Sequence, residues 1–203
     1  MIEQTMRTIS RIMIALSALA LIILLYVPIW RIDLQAPQYP EGLFMQIWSD
    51  HFSGDVEKIN GLNHYIGMAH IEDEMFAEFT YLPKVLVVLA VLGLVAAIWG
   101  RRILLVAGLV TLSLFGAWAL WRMWDWGYKY GHELDPRAAI KVEGMAYQPP
   151  LIGHKQLLNF DAWSTPDVGG WILFGVMALL FGVYFMEVRD LRKKLAARKA
   201  AKA

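Results

Sequence analysis

The chain alternates between long apolar stretches and mixed polar segments. Asp, Glu, Lys, Arg and His are absent from four runs, at 12–30, 85–100, 103–121 and 168–186. Each run approaches the ~20 residues that an α-helix needs to cross a hydrocarbon layer of ~30 Å. The second run is the shortest, but Phe76, Phe79, Tyr81 and Leu82 precede it and the Lys84 side chain reaches back to the interface, so this run is still able to cross. The pattern predicts four transmembrane helices, at about 12–30, 83–100, 103–121 and 168–187.

The segments between these spans form two long loops and a tail. The loops cover residues 31–82 and 122–167, and the tail covers 188–203. Gly100 and the two arginines after it leave a tight turn between the second and third spans, which predicts an antiparallel helical hairpin. Glycines such as Gly93, Gly108 and Gly116 offer small surfaces on which membrane helices pack closely. We therefore predict one domain, an all-α integral membrane protein with two structured loops.

Both loops carry signs of local structure. In the first loop, 43–48 reads as a short apolar strand or turn, and the amphipathic pattern of 56–79 predicts a helix that leads into the second span. Gly61 and Gly67 obscure where that helix starts. Tryptophans surround the end of the third span, and an interfacial aromatic belt explains them better than a stacking platform for a cofactor. These four are Trp118, Trp121, Trp124 and Trp126.

The distribution of charge predicts the orientation. The chain is 58% hydrophobic and 18% charged, and its formal net charge is +1. With the N-terminus in the cytoplasm, the inner segments hold eleven of the 19 Lys and Arg residues, and the two loops hold 15 of the 18 acidic residues. The positive-inside rule therefore predicts both termini inside and both loops outside. We read the first span as a retained anchor rather than a cleaved signal, and the basic tail as a contact for anionic membrane lipid rather than for nucleic acid.

Cysteine and histidine usage restricts the possible chemistry. The chain has no cysteine, so disulfides and thiolate metal sites are excluded. All five histidines fall in the two loops, which excludes a transmembrane haem held by histidines within the spans. The apolar runs carry no ionisable residue and provide no ion pathway. The five are His51, His64, His70, His132 and His154.

The richest group of candidate ligands lies between residues 63 and 78. On a helix, His64 and Met68 share a face, and Met75 falls near the same stripe. Imidazole and thioether without thiolate suit Cu(I), so the pattern predicts a copper site at His64 and Met68. Glu74 shares a face with His70 on such a helix and would either orient its imidazole or form a separate site with it. The alternative is that these side chains are simply packed or solvated, as histidine and methionine on an amphipathic helix usually are; we assign Met45, Met123 and Met145 to packing.

Three stretches of the loops resemble a known group of proteins. They are 36–43 (APQYPEGL), 59–68 with its NHYIGM, and 149–160 with PPLIG, KQ and NF. Together they resemble uncharacterised four-span membrane proteins encoded beside nitrous-oxide reductase and its copper-assembly factors. The resemblance implies an accessory to a copper enzyme outside the cytoplasmic membrane, with other membrane or periplasmic proteins of that system as partners. It also implies that His64, Met68 and His70 contact the copper.

Two functions from different classes follow. The first is a copper-handling or assembly accessory for a copper-containing respiratory enzyme, in the cytoplasmic membrane of a bacterium or archaeon, whose loops fold together into a cap. The second is a non-catalytic membrane subunit of a respiratory or oxygenase complex that docks a partner or a quinol. An enzyme in its own right is a weaker interpretation, because a run of carboxylates in a loop is usually a solvated acidic face.

Overall fold

A computed structural model of the chain describes residues 5–140, 144, 146–157 and 159–201. These residues divide into two compact units. The first, here called the helical unit, comprises the chain up to Ile23, Lys84–Phe115, and the chain from Ile172 onward. The second, here called the sheet unit, comprises Leu24–Pro83 and the described residues of Gly116–Trp171. The two predicted loops thus fold together into one unit.

Helices account for most of the described chain. They are α1 (Thr8–Ile23), α2 (Val56–Ile66), α3 (Ala77–Trp99), α4 (Arg102–His132) and α5 (Val168–Ala200), with a 3₁₀ turn at Asp73–Met75. Within the described residues, α3, α4 and α5 are long and apolar enough to cross a membrane, whereas α1 has only 16 residues. Large apolar side chains on these helices are exposed, as contact with membrane lipid requires. They include Leu16, Val88, Leu92, Leu114 and Phe185.

The helices do not end where the predicted spans end. The first predicted span continues to residue 30, but α1 ends at Ile23 and Trp30 already belongs to a strand. Pro28 helps to explain this, because proline disfavours helix at the residue before it. Helix α4 continues past the predicted end at 121 as far as His132, and α5 continues through the basic tail to Ala200. A fourth crossing by α1 stays a prediction.

The all-α prediction is wrong, because the sheet unit contains a five-stranded antiparallel sheet. Its strands are β1 (Trp30–Ala36), β2 (Tyr39–Ile47), β3 (Phe52–Gly54), β4 (Gly153–Leu157) and β5 (Phe160–Pro166), in the order β3-β2-β1-β5-β4. In β1, Trp30 and Ile32 are buried while the residue between them is half-buried, which is the period-two pattern of a strand. The first loop supplies three strands and the second loop supplies two.

The predicted turn between the second and third spans is confirmed. Gly100 adopts a left-handed φ of 66°, and α4 begins two residues later. Arg11 of α1 stabilises this turn: its Nε donates to the Ala97 carbonyl at 2.7 Å and its Nη2 to the Ile98 carbonyl at 2.6 Å. Those carbonyls are at the end of α3, where a cation also complements the helix dipole.

Small residues allow close helix packing at one of the predicted positions. A Cβ added to Gly93 of α3 would lie 2.8 Å from the Ala18 Cβ of α1, so no larger residue fits there without a shift. By contrast, Cβ atoms added to Gly108 and Gly116 would have no described atom within 4 Å. The prediction of small packing surfaces therefore holds for Gly93, whereas Gly108 and Gly116 of α4 make no such close approach to the described residues.

A buried carboxylate joins three helices of the helical unit. Glu187 of α5 is only 2% exposed. Its Oε1 accepts hydrogen bonds from the Ser10 hydroxyl at 2.6 Å and from the Arg7 backbone N–H at 3.0 Å. Its Oε2 accepts a hydrogen bond at 2.7 Å from Arg102 Nε, and Arg102 Nη2 also contacts Asp190 at 3.0 Å. The starts of α1 and α4 are thereby tied to the polar end of α5.

Candidate functional site

The candidate ligands lie around the end of α2. At the start of this helix, a hydrogen bond from Lys58 and another from the Phe44 backbone N–H hold the pKa of Asp55 below its usual value. At its end, Gly67 takes a left-handed φ of 81°, and the backbone N–H groups of Gly67 and Met68 both donate to the Asn63 carbonyl. This is a Schellman-type termination. Helix α2 therefore ends before Met68.

This termination changes the arrangement expected of the ligands. The inference that His64 and Met68 share a helix face is wrong, because Met68 lies beyond the helix, and the same holds for His70 and Glu74, which are separated by irregular chain and a 3₁₀ turn. A Cβ on Gly67 would lie 2.9 Å from the Asp135 carbonyl and from the Ala138 Cβ. Both the left-handed φ and this close approach require glycine at position 67, so the helix has to stop there.

The structure does bring His64 and His70 together. Both side chains are exposed, and their ring centroids are 6.5 Å apart. A metal ion bound by one nitrogen of each ring, at ~2.0 Å, places such centroids roughly 5–6 Å apart, depending on the angle at the metal. The observed separation is thus close to that of two imidazoles on one ion.

The ring nitrogens of this pair are also available. Within the part of the chain that the structure describes, neither His64 nor His70 has a side-chain hydrogen bond. The other three histidines are each held by an oxygen: His51 by Asp50 at 2.7 Å, His132 by the Tyr128 carbonyl at 2.9 Å and His154 by Asp161 at 2.7 Å. Each of those three rings also stacks on an aromatic neighbour, at centroid distances of 5.1, 4.0 and 4.2 Å respectively.

The methionines occupy different environments. Met68 is half-buried and lines a partly open cavity of the sheet unit. Met75 is 56% exposed, and the Tyr130 hydroxyl lies 3.8 Å from its sulfur and 2.8 Å from the His70 carbonyl. Met45 is buried and Met123 packs against the same core, as predicted, whereas Met145 lies outside the described residues. A thioether is thus present on either side of His70 in sequence.

The cavity that Met68 lines is a second feature of the sheet unit, and the sequence patterns did not indicate it. Its volume is about 90 Å³, and its walls come from β1, β2, α2, α4 and the chain around Tyr147. Apolar side chains dominate the walls. Three polar atoms in lining residues have no hydrogen-bond partner among the described residues: Asn63 Nδ2, Trp126 Nε1 and the Tyr147 hydroxyl.

One tryptophan of the predicted belt has a structural role instead. The indole of Trp126 packs against Phe76 and Tyr130, with ring centroids 5.5 and 4.9 Å away, and belongs to the core of the sheet unit. Trp121 and Trp124 are exposed, and a position at the membrane interface stays a prediction for them.

No protein-family model, curated protein or solved structure matches this chain.

Proposed function

We propose that this protein is a membrane-anchored accessory of a copper-containing respiratory enzyme, and that its sheet unit holds Cu(I) outside the cytoplasmic membrane. The observation that carries the proposal is the pairing of His64 and His70, two exposed imidazoles 6.5 Å apart without hydrogen-bond partners of their own in the described chain. Neutral imidazoles that are not already hydrogen-bonded can bind a metal without first losing a partner.

The ligand set favours Cu(I) over zinc. Among the described residues no three His, Asp or Glu side chains converge as a metal site, whereas a structural zinc ion usually takes four such ligands or thiolates. Two imidazoles with a thioether nearby suit Cu(I), which accepts soft ligands and low coordination numbers. We propose Met68 as the third ligand. Its half-buried side chain would have to turn from the cavity toward His64 and His70 when copper binds.

Copper titration tests this assignment. We expect the purified protein to bind about one Cu(I), measured by competition with a chromogenic Cu(I) chelator, and His64→Ala together with His70→Ala to abolish that binding. The matched control is His132→Ala with His154→Ala, which also removes two exposed imidazoles of the sheet unit and should leave copper binding unchanged. Met68→Leu conserves volume in the cavity and tests the thioether separately. Equal copper binding by the His64/His70 double variant and the parent would overturn the proposal.

The proposal also requires four crossings with the sheet unit outside. The chain lacks cysteine, so a single introduced thiol reports the side of the membrane directly. Tyr65 is 56% exposed next to His64, and Lys199 is exposed near the end of α5. In intact cells, a membrane-impermeant maleimide should label Tyr65→Cys, and it should label Lys199→Cys only after permeabilisation. The reverse pattern would place the histidine pair in the cytoplasm and contradict the proposed role.

The proposed copper-handling role also implies protein partners. An accessory that passes Cu(I) to an enzyme, or helps to assemble it, should be recovered from native membranes with proteins of that copper system. Recovery as a stoichiometric part of a large complex, with no copper bound, would instead support the alternative of a non-catalytic subunit.

A further inference from the structure

The cavity of the sheet unit has a surface that is almost entirely apolar. Asn63, Trp126 and Tyr147 belong to its wall, but their unpaired polar atoms are enclosed by protein, so these residues face the cavity mainly through carbon. The described residues that line the cavity include no charged side chain. Water inside a protein is held by several polar partners. This cavity therefore offers little to water and is suited to hydrocarbon.

The volume of the cavity limits the occupant to a thin molecule. A volume of about 90 Å³ holds about three groups the size of a water molecule, at ~30 Å³ each, and a methylene group is of similar size. Such a cavity destabilises a protein in proportion to its volume when it stays empty. Met45 and Met68 line it, and their flexible side chains are able to adapt to a guest. The end of an alkyl chain fits these dimensions, whereas a fused ring system does not.

The cavity lies close to the end of the apolar part of α4. The apolar run of this helix finishes at Trp121. Trp126 and Tyr130, which line the cavity, are ~7.5 and ~13.5 Å further along the helix axis, at a rise of about 1.5 Å per residue. One leaflet of the hydrocarbon core is ~15 Å thick, and this is the reach of one lipid chain. A lipid chain that turns outward at the interface is therefore long enough to reach the cavity.

A smaller cavity lies one helical turn nearer to the apolar run of α4. Its volume is about 10 Å³, and its walls include Met123, Gly127 and the chain at 148–151. Three residues line both cavities, and they are Ile32, Trp126 and Pro149. The Met123 side chain would have to move for a chain to pass, and methionine does so readily because it is unbranched and flexible. The two cavities thus form a row that leads from the apolar part of α4 into the sheet unit.

We propose that the larger cavity binds the end of an alkyl chain of a membrane lipid. The chain would enter from the interface along α4, past Met123, while its headgroup stays in water. An apolar surface, room for a few methylene groups and a position within the reach of one lipid chain all match this ligand. The histidine pair takes no part in this site, which does not depend on copper.

A lipid with a photoreactive group at the end of its chain tests this proposal. The full-length protein would be placed in nanodiscs that contain a phosphatidylcholine with a terminal diazirine on one acyl chain, irradiated, and its labelled peptides identified by mass spectrometry. A lipid whose chains stay in the bilayer keeps that group near the bilayer centre, ~15 Å below the interface. We expect label on wall residues of the cavity, such as Leu62 and Met68, because the bound chain end lies beside them. Label confined to the apolar parts of α3, α4 and α5 would overturn the proposal.

Variants that fill the cavity show whether this label depends on it. Leu62→Trp fills it from α2 and should lower labelling of the sheet unit about tenfold or more, because each methylene group excluded weakens binding about fourfold. Leu34→Phe fills it from β1 and provides an independent test if the larger side chain disturbs α2. Equal labelling of the sheet unit in the parent and in both filling variants would overturn the proposal.

Two further variants serve as controls. Tyr65→Trp enlarges a side chain that is 56% exposed on the same helix as Leu62 and does not line the cavity, so labelling should be unchanged. The His64/His70 double variant should also be labelled like the parent, so the two proposals can fail independently. Label in the apolar parts of α3, α4 and α5 should be equal in every variant, which shows that each one is inserted in the bilayer.

Discussion

Replacing Glu187 with alanine is expected to lower the apparent melting temperature of the protein in detergent by about 10 °C. The carboxylate is 2% exposed and accepts hydrogen bonds from Ser10, Arg7 and Arg102. Its removal would leave the buried Ser10 hydroxyl and the Arg7 backbone N–H without this acceptor. Arg102 would lose Glu187, which is closer to it than Asp190 is. Breaking a buried ion pair by deleting one partner usually costs about 3–5 kcal/mol.

Asp190→Ala is the matched control for this variant. Asp190 contacts the same arginine at 3.0 Å from the next turn of the same helix, but its side chain is 22% exposed. A more exposed ion pair contributes less than about 1 kcal/mol. The Asp190 variant should therefore melt within about 3 °C of the parent. Equal melting temperatures for the two variants would show that Glu187 does not connect the three helices as described.

Gly131→Ala is expected to lower the melting temperature by about 5 °C, although alanine is normally the better helix former. Gly131 lies near the end of α4, and a Cβ there would overlap the backbone N and Cα of Gln148. The same contact includes a hydrogen bond of 2.8 Å from the Tyr147 N–H to the Gly131 carbonyl. The chain that places Tyr147 in the cavity wall would have to move away from the helix.

Gly127→Ala, one turn earlier on α4, provides the comparison. A Cβ at Gly127 would meet the Pro149 ring at 3.7 Å, which is ordinary van der Waals contact. This variant should match the parent in stability or exceed it slightly, because alanine favours helix by up to about 1 kcal/mol. Equal stability of the two variants would contradict the close contact between α4 and the chain at 147–148.

The long apolar helices could be predicted from the sequence because lipid imposes a simple rule, that about 20 consecutive apolar residues are needed to cross. The turn at Gly100 followed from the same pattern. The ends of the helices could not be predicted, because α4 and α5 continue as helices after their apolar runs finish. Hydropathy reports where side chains prefer lipid and does not report where the backbone stops being helical.

The strand or turn predicted at 43–48 overlaps β2, but the sheet as a whole was missed because its strands pair across large distances in sequence. Trp30 of β1 pairs with Pro166 of β5, and no local signal joins those two segments. The alternation of Trp30, Ile32 and Leu34 with polar residues is a strand pattern, but it directly follows an apolar run that was assigned to the first span. A period-two pattern that adjoins a hydrophobic stretch is easily assigned to the same transmembrane span.

The metal site itself stays a prediction. Within the segment from Asn63 to Met75 that the sequence singled out, the rings of His64 and His70 do lie next to each other. The assumed helix was the error, since the left-handed Gly67 ends α2 before Met68. The cavity could not be anticipated, because Asn63, Trp126 and Tyr147 come from distant parts of the chain and only the folded sheet unit brings them together.

The position of β1 in the sheet determines when this protein can finish folding. On one side β1 pairs with β2, which follows it almost immediately in the chain, and on the other side it pairs with β5, which comes after α3 and α4. During synthesis, the backbone N–H and C=O groups on the β5 side of β1 therefore remain unpaired while α3 and α4 are made. A chain that terminates within α4 would keep unpaired backbone groups along this edge of β1. Such an edge pairs with strands of other chains and leads to aggregation.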